Sequence, residues 1–312
     1  MGLSGILDSG GDLTLEIEGG ADRAVPGGVL RGTAAFVASR RLEARGVTAS
    51  LVAREEHAYE VTDRSPRGDS RIDRRWESSD VWRQELSLQG PMIMEAGSRH
   101  TFPFELDLPP DAYPSFQSGI LRLVWRLSLS IDVGGRDPSV DREIAVPFTP
   151  KALEGVDPAA LAERVETSAD GGAFAIVVEP RPLVPGGAFR GSIETAEELD
   201  PARTRVEVKL LVATDYSSGG LDVGLDLPGG VRLESLARRA VSEQRSIWKG
   251  VLTGSESIDG GRRYAFVGEL PDEPVGTIAL PHGSATALVD VIVDRRLRTD
   301  RHLSRPVAIG RP

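Results

Sequence analysis

Apolar and polar positions alternate with a period of two through long stretches of the chain. Leu121, Leu123, Trp125, Leu127, Leu129 and Ile131 fall on one side of a run whose other side carries Arg122, Arg126, Ser128 and Ser130. Alternation of that length predicts a strand with one face on a core and the other in water. Val206, Val208, Leu210 and Val212 predict a second such strand. Ala287, Val289, Val291 and Val293, alternating with Asp290 and Asp294, predict a third. The segments between strands are too short for crossover helices, so the sheets are expected to be antiparallel. Trp125 shares its face with Leu123 and Leu127 and is expected to be buried between sheets.

The pattern occurs twice. Val25-Pro26-Gly27-Gly28-Val29-Leu30-Arg31-Gly32 returns as Val184-Pro185-Gly186-Gly187-Ala188-Phe189-Arg190-Gly191, each copy following an alternating strand. Each half also closes on a late hairpin strand, near Ile144 to Val146 and Val307 to Ile309. Two copies of one β-unit imply a duplicated all-β architecture, two tandem antiparallel β-sandwiches joined by a short linker. The expected division is residues 1–150, a linker over 151–172, and residues 173–312. At least one glycine of each Gly-Gly pair is expected to take a positive φ.

Two stretches depart from the strand pattern. Asp157-Pro158-Ala159-Ala160-Leu161-Ala162-Glu163-Arg164 has an N-cap residue, Pro at the first helical position and good helix formers, which predicts a short linker helix. Leu233, Leu236, Ala237, Ala240 and Val241 form an i, i+3, i+4, i+7, i+8 stripe and predict a second helix.

Composition narrows the chemistry. The 312 residues suffice for two cores, and a net charge of −10 works against general nucleic-acid binding. The absence of cysteine removes disulfides, thiolate zinc sites and cysteine nucleophiles. No secretion signal is visible at the start of the sequence and no apolar run reaches the roughly 18 residues of a membrane span, so a cytoplasmic protein is expected.

Three further passages carry a resemblance. They are the Pro-Gly-Gly turn with its Arg-Gly strand, His100-Thr101-Phe102-Pro103-Phe104-Glu105-Leu106-Asp107-Leu108-Pro109, and the run from Ser118 through Trp125 and Asp132 to Ile144. In order and spacing they resemble the arrestin-like superfamily, most closely its bacterial sporulation-control branch. The resemblance implies two arrestin-like, immunoglobulin-like sandwiches and a non-enzymatic adaptor, scaffold or regulator of protein partners, of the kind used in stress or sporulation-type regulation. Pro109-Pro110-Asp111-Ala112 lacks the tyrosine of a Pro-Pro-x-Tyr ligase-recruiting motif.

No catalytic motif appears: no Gly-x-Ser-x-Gly elbow, Walker loop or dinucleotide fingerprint. No catalytic residue, cofactor or metal site is therefore expected. His57, His100, His282 and His302 show no metal-ligand spacing and are expected at surfaces or strand edges. Asp132, Asp137, Asp141 and Glu143 crowd one hairpin, where Arg136 and Arg142 would compete with a cation.

The candidate partner-binding residues are arginines. Arg64, Arg67, Arg71, Arg74 and Arg75 lie in a charged loop from Asp63 to Arg75, expected to be ordered only by a partner. Arg295, Arg296 and Arg298, with Arg301 and Arg305, crowd the C-terminal hairpin. Each cluster suits a solvated face, or an acidic protein partner or anionic lipid headgroups met by guanidinium forks. Exposed sheet edges offer a second surface, for a partner strand or a second copy of the chain.

Overall fold

The computed structural model describes residues 7–8, 13–19, 22–64, 70–134, 137–148, 174–215, 226–227, 231–232, 237–272, 276–295 and 299–310. The linker helix expected at Asp157 to Arg164 lies outside them. Secondary structure among the described residues is β, apart from one turn of 3-10 helix at Pro201–Arg203.

The N-terminal half contributes β1 (Leu7–Asp8), β2 (Leu13–Glu18), β3 (Val29–Ala38), β4 (Leu42–Ala44), β5 (Gly46–Arg64), β6 (Ser70–Gln89), β7 (Met92–Met94), β8 (Arg99–Asp107), β9 (Phe116–Gln117), β10 (Leu121–Asp132) and β11 (Ser139–Ile144). The C-terminal half contributes β12 (Phe174–Glu179), β13 (Ala188–Thr195), β14 (Thr204–Thr214), β15 (Asp226–Leu227), β16 (Val231–Arg232), β17 (Ala237–Arg239), β18 (Ser242–Val251), β19 (Gly254–Ile258), β20 (Gly261–Glu269), β21 (Ile278–Leu280), β22 (Gly283–Val293) and β23 (Arg301–Val307). They pair as β1-β2-β3-β8 and β11-β10-β5 with β6 beyond β5, then as β12-β13-β20-β19 and β18-β14-β22-β21 with β23 on β22. The fold is a pair of tandem antiparallel β-sandwiches.

The chain divides into two compact units. One holds residues 1–55, 78–115 and 123–148; the other holds residues 56–77, 116–122 and 149–312. The second unit therefore takes in two short segments of the N-terminal half.

In the first unit the core follows the alternation. Leu123, Trp125, Leu127, Leu129 and Ile131 of β10 are buried with Phe36 and Leu106 of the opposing sheet. Trp125 is fully buried; its indole Nε1 donates to the Tyr113 carbonyl at 2.8 Å, and its ring meets Trp82 at 5.3 Å between centroids. That hydrogen bond removes the cost of burying the indole N–H. In the second unit Val206, Val208, Leu210 and Val212 of β14 are buried with Ala285, Ala287, Val289 and Val291 of β22, joined by Tyr264 and Phe266 of β20.

The repeated motif has the same geometry in both copies. Gly28 N–H donates to the Val25 carbonyl and Gly187 N–H to the Val184 carbonyl, each at 2.9 Å. Gly27 and Gly186 take φ of 74° and 70°. Pro at the second position and a positive-φ glycine at the third define a type II turn, which a side chain at the third position would strain. The Arg-Gly that follows has a separate reason. Gly32 pairs with Phe104 and Gly191 with Phe266 across adjacent strands, and the phenylalanine ring lies over the glycine. An added β-carbon at Gly32 would come 2.5 Å from the Phe104 ring, and one at Gly191 would run into Phe266 and the Val177 carbonyl.

Two expectations change. The helical stripe at Leu233 to Val241 does not persist: Ala237–Arg239 form β17, paired antiparallel to Glu60–Thr62 of β5, and β18 begins at Ser242. Residues 233–236 lie outside the described set. Ala-Arg-Arg-Ala by itself favours helix, so backbone pairing with β5 overrides both that propensity and the short apolar period. The charged stretch expected as a loop from Asp63 to Arg75 is strand from Ser70 onward, paired to β5. Its arginines stand on alternate sides of an extended backbone.

Trp125→Ala should cost about 3–5 kcal/mol, the range for truncating a large buried aromatic, read from urea denaturation; a change near zero would place the residue outside the core. Gly191→Ala should lose about 1–3 kcal/mol by overpacking against Phe266, and adding Phe266→Leu should recover part of that loss.

Candidate partner-binding surface

The structure separates the two arginine clusters. Arg71, Ile72, Asp73, Arg74, Arg75 and Trp76 run along β6, where residues 71, 72 and 74–76 are exposed. Alternation puts Ile72, Arg74 and Trp76 on one side of the strand and Arg71, Asp73 and Arg75 on the other. Arg71 Nε lies 2.8 Å from Asp73 Oδ1, and Arg74 Nη2 lies 3.7 Å from Glu60 Oε1. Both pairs are open to water and worth little to stability. Ile72 and Trp76 are 58% and 47% exposed, large for apolar side chains on a strand. Arg64 ends β5, though its side chain lies outside the described residues, as does all of Arg67.

Of the C-terminal cluster, Arg296 and Arg298 lie outside the described residues, and Arg295 is half-buried. Its two neighbours on β23 are internal anchors. Arg301 is buried, donates from Nη1 to Glu197 Oε2 at 2.7 Å and sits 4.6 Å above the Phe174 ring. Arg305 donates to the Ile176 carbonyl; burial, with the nearby Arg181, holds its pKa below the ordinary arginine value. A solvated arginine face, the plain expectation for this hairpin, does not describe these two residues.

A polar network missed by sequence reading lies on the outer side of β14, β22 and β23. Asp290 alternates with buried valines as expected of an outward residue, yet it is 2% exposed. Lys209 of β14 bonds its Oδ2, His302 Nδ1 lies 3.0 Å from the same oxygen, and Ser304 donates to Oδ1 at 2.9 Å. Burial would push the Asp290 carboxyl up, but the bonds from Lys209, His302 and Ser304 outweigh it, so its pKa lies below the ordinary aspartate value. Glu207, also buried, is 3.8 Å from Lys209 Nζ and 3.5 Å from Lys249 Nζ. Lys209 lies two residues from Glu207 on the same face of β14, whereas Lys249 reaches it only through strand pairing, which no sequence spacing signals.

Two of the four histidines also meet. The rings of His57, on β5, and His282, in the turn before β22, stack at 4.6 Å with 9° between planes. His57 is 2% exposed, so the surface or strand-edge position expected of it does not hold. His100 follows expectation more closely, near the surface with Nε2 2.8 Å from Ser98 Oγ. In the acidic hairpin, Asp132 Oδ1 accepts from Gly134 N–H at 3.2 Å, and Arg142 turns away to donate to the Ile17 and Gly19 carbonyls.

A shallow groove of about 1060 Å³ lies over β12, β13 and β20, lined by Pro180, Phe189 and Val267 and flanked by the Arg190–Glu179 pair. No described helix is long and apolar enough to cross a membrane.

Among solved structures, squid arrestin is similar over 99% of this chain and 97% of its own, at 10% identity and a TM-score of 0.45. Spo0M, the sporulation control protein from Bacillus subtilis, is similar over 79% of this chain and 91% of its own, at 14% identity and a TM-score of 0.32. No protein-family model and no curated protein matches the sequence.

The Asp290 network sets a pH dependence. Because the folded-state pKa is lowered, its stabilisation is present above the unfolded value of about 3.9 and is lost as pH falls toward the folded value. Lys209→Met should cost about 1.5–3 kcal/mol at neutral pH, the range for a hydrogen bond to a charged group. The gap between variant and parent should narrow as pH drops below about 4, measured by denaturant unfolding at stepped pH.

Proposed function

We propose that this protein is a non-enzymatic adaptor that takes an extended segment of a protein partner along β6, over Ser70 to Glu77. One observation carries the reading. β6 pairs with β5 on one side, no other described strand borders it, and its exposed stretch combines Ile72 and Trp76 with three arginines. An open strand edge presents backbone N–H and C=O groups at the spacing another strand needs. Proteins commonly blunt such edges with charge, and Arg71, Arg74 and Arg75 do so against an arbitrary strand. An acidic partner segment would convert that repulsion into attraction. Ile72 and Trp76, four residues apart on one side, would give it apolar holds, and exposed tryptophan and arginine are the types most enriched among residues dominating interface energetics.

The test is a pull-down from the native host, followed by hydrogen exchange on the purified complex. The amides of residues 70–77 should gain protection on binding. Trp76→Ala should weaken the complex about tenfold or more, as for an interface anchor. Arg71→Ala, Arg74→Ala and Arg75→Ala combined should leave folding within about 1 kcal/mol, since the pairs lost are exposed, while reducing capture. Capture and protection both unchanged in these variants would sink the proposal. Binding to anionic vesicles that disappears steeply with salt, with no protein captured, would replace the protein partner by a lipid surface.

A further inference from the structure

The open edge of β6 continues beyond the stretch proposed for a partner segment, through residues 78–89 of the first unit. There Trp82, Gln84, Leu86 and Leu88 are half-buried and alternate with exposed Arg83, Glu85, Ser87 and Gln89. Trp82, Leu86 and Leu88 pack against the core of that unit, so even positions face inward and odd ones outward. Arg83 Nη2 lies 3.2 Å from Glu85 Oε2 on the outward side, and both side chains are more than half exposed. On the inward side, Gln84 Oε1 is shielded from water with no hydrogen-bond partner among the described residues.

We propose that this edge pairs with the same edge of a second copy of the chain, antiparallel and centred on Gln84. The product is a two-fold dimer with one continuous sheet. Residues directly opposite in an antiparallel pair share a face. A two-fold axis that keeps both core faces on one side therefore sets one residue opposite itself. With the axis at Gln84, Arg83 of each copy stands opposite Glu85 of the other, and Trp82 stands opposite Leu86. Moving the axis to residue 83 sets arginine against arginine, and moving it to 85 sets glutamate against glutamate. Axes at 82 and 86 put uncharged residues opposite both. Charge complementarity selects a single register.

Gln84 gives a second reason for that axis. A shielded oxygen without a donor is costly. Facing its own copy, each carboxamide can donate from Nε2 to the other's Oε1, a reciprocal pair available to a residue on the axis. Trp82 against Leu86 adds a cross-strand apolar contact, and the open backbone groups of the edge gain partners. The ladder ends where residue 79 stands opposite residue 89. Residues 70–77 fall outside it, so the dimer leaves the proposed partner strand of each copy unpaired.

The chain has no cysteine, which makes the register directly readable. Opposed residues of an antiparallel pair have Cα atoms about 4.5–5.5 Å apart, within disulfide range. Gln84→Cys should therefore give a covalent dimer on mild oxidation, seen on a non-reducing gel. Ser87→Cys, about 20 Å from its own copy along the ladder, should not. In sedimentation velocity the full chain should show a dimer whose share rises with concentration through the micromolar range. Arg83→Glu should weaken it at least about tenfold, because like charges opposed across an interface repel. Combining Arg83→Glu with Glu85→Arg should restore it, since the exchanged pair is again complementary. Urea midpoints of both variants should stay near the parent's, as these side chains are exposed. A parent chain that stays monomeric overturns the inference, as does a dimer indifferent to Arg83→Glu or not rescued by the exchange. Equal cross-linking at positions 84 and 87 overturns it too. Capture of a protein partner through residues 70–77 by a monomeric chain removes this dimer and leaves the adaptor reading intact.

Discussion

Both sandwiches depend on a close approach of backbone to aromatic ring. Gly32 beneath Phe104 and Gly191 beneath Phe266 leave no room for a β-carbon, and each pair joins adjacent strands of its sheet. Alignment is fixed there, because moving either strand by one residue would send the ring to the other face. The type II turns at Val25–Gly28 and Val184–Gly187 sit immediately before, so turn and glycine together determine where β3 and β13 begin. Later hydrogen bonds follow suit: Leu108 N–H meets the Gly28 carbonyl and Leu270 N–H the Gly187 carbonyl, at 2.9 and 3.0 Å. A sequence repeat of eight residues is thus a repeat of one mechanical device.

Charge is divided between structure and surface by the same sheets. Arg301 and Arg305 are used internally, on Glu197, the Phe174 ring and the Ile176 carbonyl. Asp290 and Glu207 are buried on the outer side of a sheet, which works only because Lys209, Lys249, His302 and Ser304 surround them. The arginines of β6 lie instead on an open edge beside exposed tryptophan and isoleucine. The scaffold thus satisfies its buried charges internally, while β6 keeps cationic and apolar side chains exposed on one strand.

The sequence alone determined the strands, the duplication and the buried face of Trp125, because period-two alternation and a Pro-Gly-Gly turn are local consequences of backbone geometry. It also marked Arg71, Arg74 and Arg75 as candidates, but not that they lie on a strand edge. Only the tertiary structure decided that Ala237–Arg239 would be strand, since the pairing edge of β5 is contributed by residues distant in sequence. For the same reason it alone brought His57 to His282 and Lys209 to Asp290. Those contacts form when separate strands and turns converge, and spacing along one chain carries no record of such convergence. Local rules act within a few residues, whereas contacts between distant segments exist only once the sheets have packed.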